Sequence, residues 1–285
     1  MTDEDIQKQN KCPIESPIDA NLSAHFPLRI LLAEDLAVNQ KLMVAMLGQL
    51  GYKIDVVKNG VEVLEALQHT TYDLVLMDLQ MPKIDGLEAT RRIVSQWPKD
   101  TRPHIVALTA SAIEDARAAC EAAGIDDYIV KPVPIKELQS VLTRYGKLVR
   151  ERAGQAVGVV GNHKIAQGSS PLNQEILANL QCMRDNGMPE FIQELLVLFQ
   201  DETPKLICAM QEAIHEGNAI KLRMSAHSLN GSAASLGATA LSALCATLER
   251  NAREGSFANA LTQVAELMPE YQRVCTALTQ ERQNL

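Results

Sequence analysis

The first half of the chain alternates five short apolar runs with segments of helical periodicity. The runs are LRILLA (28–33), YKIDVV (52–57), YDLVLMD (72–78), HIVALTA (104–110) and DDYIV (126–130). Strands that alternate with helices need crossover connections, which make the strands parallel and place helices on both faces of the sheet. The sequence therefore predicts a doubly wound α/β domain around a five-stranded parallel sheet.

The second half of the chain has the periodicity of helices alone. Its apolar residues recur at helical spacing, and no segment alternates as a strand does. Before it, RERAGQAVGVVGNHKIAQGSSP contains four glycines and no sustained amphipathic face, which is typical of a linker. We therefore predict four segments, which are a flexible leader (1–26), the α/β domain (27–149), the linker (150–171) and an antiparallel four-helix bundle (172–285).

The composition disfavours several classes of protein. The formal net charge is -8 at pH 7, which opposes binding to nucleic acid or to anionic membranes. No apolar run approaches the ~20 residues of a membrane-spanning helix, and the polar N-terminus is unlike a signal peptide. The six cysteines form no CxxC pair and no cluster with metal-ligand spacing. We expect a cytoplasmic protein with reduced cysteines that binds neither nucleic acid nor membrane.

Polar residues lie at the ends of four predicted strands. They are Glu34 and Asp35 after the first strand, Asp78 after the third, Thr109 at the end of the fourth, and Lys131 after the fifth. Because the carboxyl ends of parallel strands meet at one edge of the sheet, we expect these side chains to lie together. Carboxylates gathered there would repel one another, and a hard cation such as Mg²⁺ would neutralise them. Any one Asp alone is more typical of a helix cap, but the whole set indicates a site.

These residue types suit phosphoryl transfer to a carboxylate, in which the protein mainly positions groups and neutralises charge. Asp78 would be the nucleophile. Glu34 and Asp35 would hold Mg²⁺ against a phosphoryl oxygen. Lys131 would pair with a second oxygen, and the hydroxyl of Thr109 would bond a third.

Four segments resemble the signature segments of response-regulator receiver domains, over about residues 28–149. They are LLAEDLAVNQKLMVAMLGQLGY, DLVLMDLQMPKIDGLEATRRI, IVALTA and DDYIVKPV. The resemblance implies a flavodoxin-like fold, dependence on Mg²⁺ and phosphorylation of Asp78. It also implies a switch in which Thr109 moves toward the phosphoryl group while Tyr128 reorients.

Two further details come from this resemblance. The peptide bond between Lys131 and Pro132 is expected to be cis. Leu36 departs from the family, whose members often carry Asn after the acidic pair. This substitution removes no proposed ligand.

A histidine lies within a regular helical segment of the second half. The apolar stripe of this segment consists of Leu222, Ala226, Leu229, Ala233 and Leu236. His227 lies just beside the stripe, with Arg223, Asn230 and Gly231 as neighbours at helical spacing. A glycine within a helix costs about 1 kcal/mol relative to alanine. Gly231 therefore suggests room above the imidazole for another protein's active site, although a lone helical His is more often an ordinary structural residue.

The second half resembles histidine-containing phosphotransfer (HPt) domains over about residues 172–281. The matching segments are PEFIQELLVLFQDETPKL, AHSLNGSAASLGA and ALCATLE. The resemblance implies that neutral His227 attacks an acyl phosphate and later passes the phosphoryl group to another aspartate. Relatives usually carry Lys where this chain has Asn230, so one positive charge is missing. Lys221 and Arg223, on the preceding turn, are candidates to replace it.

The two resemblances together predict a two-component phosphorelay protein like the C-terminal part of hybrid sensor histidine kinases. Phosphate would pass between a sensor histidine kinase, Asp78, His227 and an aspartate of a separate response regulator. A flexible linker over 150–171 would reach roughly 25 Å, which allows Asp78 and His227 of one chain to meet. The sequence shows no ATP-binding lid, so we expect a phosphoryl carrier and not an autonomous kinase.

Two other functions compete with the relay. In the first, phosphorylation of Asp78 changes the face formed by the last two helices and last strand of the receiver, and the helical bundle only docks a partner. Asn230 favours this scaffold. In the second, the chain is a haloacid-dehalogenase-like phosphatase. That family expects a DxD motif at the first strand, which Glu34, Asp35 and Leu36 do not supply.

Overall fold

The structure is a computed structural model that describes residues 18–109, 113–152, 176 and 190–283. In chain order, its elements are α1 (Leu22–His25), β1 (Ile30–Ala33), α2 (Ala37–Gln49), β2 (Asp55–Val57), α3 (Gly60–His69), β3 (Leu74–Asp78), α4 (Gly86–Gln96), β4 (His104–Thr109), α5 (Ile113–Ala123), β5 (Asp127–Val130), α6 (Ile135–Arg152), α7 (Phe191–His215), α8 (Ala219–Ser235), α9 (Thr239–Arg253) and α10 (Ala260–Gln283). The greater part of the predicted linker, and the start of the predicted bundle (172–189) apart from Ile176, lie outside the described residues.

The five strands form one parallel sheet in the order β2-β1-β3-β4-β5. The central strands β1, β3 and β4 are buried along their whole length, which explains why their sequences are continuous apolar runs. The predicted flavodoxin-like doubly wound sheet is therefore confirmed. In such a sheet the strand order reverses between β1 and β3, and the crevice for a ligand opens at their carboxyl ends.

Each face of the sheet carries its own layer of helices. Along β1, Ile30 and Leu32 belong to one buried cluster with residues of α2 and α6. Leu31 and Ala33 point to the opposite face and join a second cluster with residues of α3 and α4. This alternation is the two-residue period of a strand, and helices on both faces complete the doubly wound fold.

Residues 18–26 are folded against the first domain, whereas we predicted that the leader would extend to residue 26. Leu22 is buried within α1. The hydroxyl of Tyr52 donates a hydrogen bond of 2.7 Å to the carbonyl oxygen of Phe26. Phe26 also lies against Gly146 of α6, where a Cβ atom would come within 2.4 Å of it. These contacts order the segment because they bury an apolar residue and satisfy a tyrosine hydroxyl.

The described part of the second domain consists of four helices joined by short connections. Connections of a few residues make neighbouring helices antiparallel, and α8 packs against both α7 and α9. The apolar stripe predicted in α8 is buried at each of its positions, which are Leu222, Ala226, Leu229, Ala233 and Leu236. The predicted helical bundle is thus confirmed within the described residues. None of the described helices has the length and hydropathy needed to cross a membrane.

The two domains pack on each other through α2 of the first domain and helices α7 and α8 of the second. Buried apolar residues of both domains belong to one continuous cluster. Two polar contacts border it: Lys41 Nζ lies 2.5 Å from Glu194 Oε2, and the backbone N–H of Ala37 donates to Glu202 Oε1 at 3.1 Å. This packing turns the carboxyl edge of the sheet toward α8.

Candidate functional site

Three acidic side chains meet at the carboxyl edge of the sheet. Glu34 and Asp35 follow β1, and Asp78 ends β3. The register pairs Ala33 with Met77, which brings the residues just beyond them side by side. One carboxylate oxygen from each of the three acids lies within 4.8 Å of the others. The structure therefore brings together the acids that the strand ends indicated.

Lys131 follows β5 directly, and its side chain contacts the acidic cluster. Its Nζ atom lies 2.6 Å from Glu34 Oε2 and 2.6 Å from Asp78 Oδ2. Burial opposes the charge of this ammonium group, but the two carboxylates outweigh burial and raise the pKa of Lys131. The peptide bond between Lys131 and Pro132 is cis, as predicted. One fixed positive charge thus lies against two of the three acids.

Glu34 is fully buried, and both of its carboxylate oxygens have partners. Asn39 Nδ2 donates to Oε1 at 3.0 Å, while Lys131 binds Oε2. Burial raises the pKa of Glu34 although Lys131 opposes it. Asn39 was not predicted as a site residue from the sequence. Asn39 lies in the first turn of the helix that follows the acidic pair, and this position is the sequence feature that could have indicated it.

The surroundings of Asp35 also favour its uncharged form. Burial raises the pKa of Asp35 to about 7, and repulsion by Glu34 and Asp78 acts in the same direction. Lys131 alone therefore does not offset the burial and mutual repulsion of these carboxylates. Oxygen ligands of this kind fit a hard divalent cation, and Glu34, Asp35 and Asp78 are the residues that could hold one.

Asp78 is 3% exposed, and its backbone is approached closely by the start of α4. Its Oδ1 atom accepts a hydrogen bond of 3.1 Å from the backbone N–H of Gln80. A Cβ atom at Gly86 would lie 2.2 Å from the carbonyl oxygen of Asp78. Only glycine fits there, because any side chain would push α4 away from the phosphoacceptor candidate.

Thr109 and Tyr128 occupy the predicted positions at the edge of the sheet. Thr109 ends β4 and is 6% exposed. Tyr128 lies half-buried on β5, in register with Ala107. The residues that follow Thr109 directly, 110–112, are outside the described ranges. The switch proposed for this pair stays a prediction.

His227 is buried in α8, and its Nδ1 atom lies 3.2 Å from Oε1 of Glu249 on α9. The same Glu249 oxygen lies 3.4 Å from Gln80 Nε2 of the first domain and 3.5 Å from an Arg253 guanidinium nitrogen. Burial acts to raise the pKa of Glu249, but His227 and Arg253 outweigh burial and hold it below its usual range. Glu249 lies in the segment ALCATLE that resembles HPt domains, but the sequence predicted no role for it, because helical periodicity does not reveal contacts between helices.

Asn230 and Lys221 each have partners other than His227. Asn230 is buried, and its Oδ1 atom accepts a hydrogen bond of 2.6 Å from Ser242 on α9. Lys221 pairs with Glu212 at 3.1 Å and with Glu216 at 3.3 Å. Its role as a replacement for the missing lysine stays a prediction.

Gly231 faces the receiver domain of its own chain. A Cβ atom at Gly231 would lie 3.4 Å from Nδ2 of Asn39, the residue that also holds Glu34. The room that this glycine was expected to leave for another active site is thus bordered by Asn39 of α2. At this distance a Cβ atom would make an ordinary van der Waals contact.

One cleft of about 580 Å³ lies between the two domains. Asp78 and His227 both line it. The other charged and hydroxyl-bearing side chains around it include Asp35, Lys83, Asp85, Thr109, Arg223, Ser228 and Arg253. Three of these are cations, and only Arg223 among them was predicted from the sequence. The cleft therefore joins a carboxylate, an imidazole and a group of positive charges in one space.

Comparison with protein families gives one match in each half of the chain. The family model described as the response regulator receiver domain matches residues 30–143. The family model described as the Hpt domain matches residues 194–283. The first match contains the whole acidic cluster with Lys131, and the second contains His227 and Glu249.

Curated relatives are larger proteins of the histidine kinase type. The chain is 42% identical over 139 residues to histidine protein kinase 1 of Candida albicans, which is 46% of this chain and 6% of that protein. It is 25% identical over 210 residues to the aerobic respiration control sensor protein ArcB of Escherichia coli, which is 74% of this chain and 26% of that protein. The chain spans about a quarter or less of the length of these relatives.

Solved structures resemble each half separately. The receiver domain of a sensor histidine kinase from Pseudomonas aeruginosa, with a magnesium ion coordinated in its active-site cleft, is 41% identical. The match covers 42% of this chain and 97% of the receiver-domain chain, with a TM-score of 0.39. The histidine-containing phosphotransfer protein HptB of Pseudomonas aeruginosa is 28% identical. The match covers 41% of this chain and 99% of the HptB chain, with a TM-score of 0.37.

Proposed function

Because the chain contains a response regulator receiver domain followed by an Hpt domain, we propose that it carries phosphoryl groups between Asp78 and His227 in a two-component phosphorelay. The observation that carries this proposal is that both residues line one cleft between the two domains. A shared cleft lets a phosphoryl group move from one acceptor to the other without release into solution.

In the first step a carboxylate oxygen of Asp78 attacks phosphorus. A new O–P bond forms as the bond to the donor's phosphohistidine nitrogen breaks. Lys131 already lies 2.6 Å from Asp78, so its charge is in place for the phosphoryl oxygens. The backbone N–H of Gln80 holds the other carboxylate oxygen and so orients the nucleophile.

We propose Mg²⁺ as the cation of this site, held by Glu34, Asp35 and Asp78. The fit rests on the donor set, which consists of carboxylate oxygens within 4.8 Å of one another, and on the raised pKa of Asp35. When bound, the ion neutralises charge on the transferring phosphoryl group. Glu34 would act from a fixed position, because Asn39 and Lys131 already hold its two oxygens.

In the second step a ring nitrogen of His227 attacks the phosphorus of phospho-Asp78. An N–P bond forms, the O–P bond breaks, and the Asp78 carboxylate leaves. Glu249 lies against Nδ1, which leaves Nε2 for the attack and favours the positive charge that phosphorylation places on the ring. Arg223 and Arg253 line the cleft and are our candidates for the charge missing at Asn230.

The partners follow from this chemistry. A sensor histidine kinase would supply the phosphoryl group, and an aspartate on a separate response regulator would receive it from His227. We assign the chain the role of a carrier and not of a kinase, because each step only exchanges one phosphorylated side chain for another. We place the exchange in the cytoplasm, where free buried thiols such as Cys120 and Cys245 persist.

A labelling experiment tests this function. The full chain would be incubated with Mg²⁺ and radiolabelled acetyl phosphate, beside the variants Asp78→Asn and His227→Gln. The relay predicts acid-labile, base-stable label on the wild type, absent from both variants, and base-labile label alone on His227→Gln. Label that stays on Asp78 in the wild type would contradict the relay and leave the phosphorylation-controlled scaffold.

A further inference from the structure

Helix α2 of the receiver domain begins without a side-chain cap. Its N-cap residue is Leu36, which has no hydrogen-bonding atom in its side chain. Two other receiver helices start with polar caps, since Asn59 accepts from two backbone N–H groups and Asp85 accepts from Glu88 N. The first backbone N–H groups of a helix have no partner within the helix, so α2 needs an acceptor from elsewhere.

Glu202 of the Hpt domain supplies that acceptor. Its Oε1 atom accepts a hydrogen bond of 3.1 Å from the backbone N–H of Ala37, the first residue of α2. The negative carboxylate also faces the positive end of the helix dipole, which favours it further. Burial raises the pKa of Glu202, while its contacts with the amides of Ala37 and Val38 oppose that effect. A carboxylate from one domain thus caps a helix of the other.

The same two helices make a second polar contact. Lys41 lies one turn after Ala37, and Glu194 lies about two turns before Glu202. The contacts therefore run in opposite directions along α2 and α7, as expected for antiparallel helices. Two fixed points on one helix pair set both its register and its direction. They place Asn39 of α2 opposite Gly231 of α8, beside the acidic cluster.

We propose that Glu202 is a specificity-determining residue of the Hpt surface, which selects a receiver domain whose first helix begins without a side-chain cap. The proposal rests on the proposed relay and names the kind of receiver that the Hpt domain accepts. A receiver with Asn in place of Leu36 would satisfy these N–H groups itself and gain little from Glu202. A receiver with Asp there would place a second carboxylate beside Glu202 and be repelled.

The first test measures transfer within the full chain. After phosphorylation of Asp78 by radiolabelled acetyl phosphate, the rate at which label reaches His227 would be compared between wild type and Glu202→Ala. We expect a rate lower by about fivefold, the factor that corresponds to a typical helix cap. Asp201→Ala is the matched control, because Asp201 is exposed on the same helix and pairs only with Lys205 among the described contacts. Its rate should equal that of wild type.

A double-variant cycle distinguishes capping from a general effect of charge. In a Leu36→Asn background, where the helix caps itself, Glu202→Ala should slow transfer less than twofold. An equal loss in both backgrounds would overturn the proposal, and so would unchanged transfer in Glu202→Ala. Because Leu36 is buried and its substitution could unfold the receiver, Glu202→Gln in the wild-type background is a second variant. It retains an acceptor oxygen and should lose less than Glu202→Ala.

Amide hydrogen exchange separates this proposal from the relay itself. The amides of Ala37 and Val38 should exchange about fivefold faster in Glu202→Ala than in wild type. Unchanged exchange would refute the cap whether or not the wild type transfers phosphate. Faster exchange in a chain that fails to label His227 would instead support the cap while the relay fails.

Discussion

His227 Nδ1 and Glu249 Oε1 lie 3.2 Å apart where helices α8 and α9 meet, and both side chains are buried. Gln80 of the receiver domain reaches the same carboxylate oxygen at 3.4 Å. The imidazole is therefore oriented from within the bundle, and its orienting group contacts the domain that carries Asp78. Substitution of Glu249 should therefore affect phosphoryl transfer to His227 directly.

Substitution Glu249→Gln should slow transfer from phospho-Asp78 to His227 about tenfold. The amide retains the shape of the side chain but loses the charge that stabilises a positive ring, an interaction worth about 1.5 kcal/mol or more. Label on His227 would be followed in a single turnover. Glu254→Gln is the control, because Glu254 is exposed at the end of the same helix. Equal rates for Glu249→Gln and wild type would refute the orienting role.

Lys131→Met should destabilise the receiver domain by about 3 kcal/mol, because it leaves Glu34 and Asp78 buried without a positive partner. Urea unfolding in the absence of Mg²⁺ would measure this change. Adding Asp78→Asn to Lys131→Met should restore part of the lost stability, since one buried charge is removed. The exposed Lys136→Met serves as control, and a loss of similar size there would show that the ion pairs are not the cause.

Gly86→Ala should destabilise the protein by about 2 kcal/mol, because the new Cβ atom would lie 2.2 Å from the Asp78 carbonyl oxygen. Gly48→Ala is a matched substitution within α2, where a Cβ atom would meet nothing within 4 Å. There the better helix propensity of alanine should raise stability by about 0.5 kcal/mol. Thermal or urea unfolding would show the opposite signs. A neutral Gly86→Ala would mean that α4 moves freely.

His104 should make the receiver domain less stable in mild acid. Burial, together with Arg152, lowers the pKa of His104 to about 4, although Asp126 opposes them. A His with a lowered pKa contributes stability above its unfolded pKa of about 6.5 and loses that contribution as pH falls toward about 4. From pH 7.5 to 5 the loss should be about 2 kcal/mol.

The comparison that isolates this effect is His104→Gln, which should lose less stability than wild type over that pH range. His69→Gln, at an exposed position, should follow the wild type. Urea unfolding at the two pH values gives the difference directly. If wild type and His104→Gln lost equal stability, His104 would not be the group responsible.

The fold and the receiver site could be predicted because their determinants are local in the sequence. The central strands β1, β3 and β4 are buried along their whole length, and the residues at their carboxyl ends lie at the same edge of the sheet. The strand positions therefore bring Glu34, Asp78 and Lys131 together, and the loop conformations are not needed to predict this. The cis bond before Pro132 belongs to the same local pattern.

The parts that escaped prediction depend on contacts between distant segments. Glu249 and His227 lie on different helices, and Glu202 meets Ala37 across the two domains. Helical periodicity identifies a buried face but not the residue that lies opposite. For the same reason Lys221 was a candidate to replace the missing charge near His227, although its side chain pairs with two glutamates.

The most direct test of the central claim is whether Asp78 and His227 of one chain exchange phosphate through their shared cleft. The wild-type chain would be labelled at Asp78, and the rate of transfer to His227 measured over a hundredfold range of protein concentration. A mixture of Asp78→Asn and His227→Gln chains, which can transfer only between molecules, would be measured beside it. We predict a wild-type rate that is independent of concentration and faster than that of the mixture. A wild-type rate that rises in proportion to concentration and matches the mixture would contradict the account.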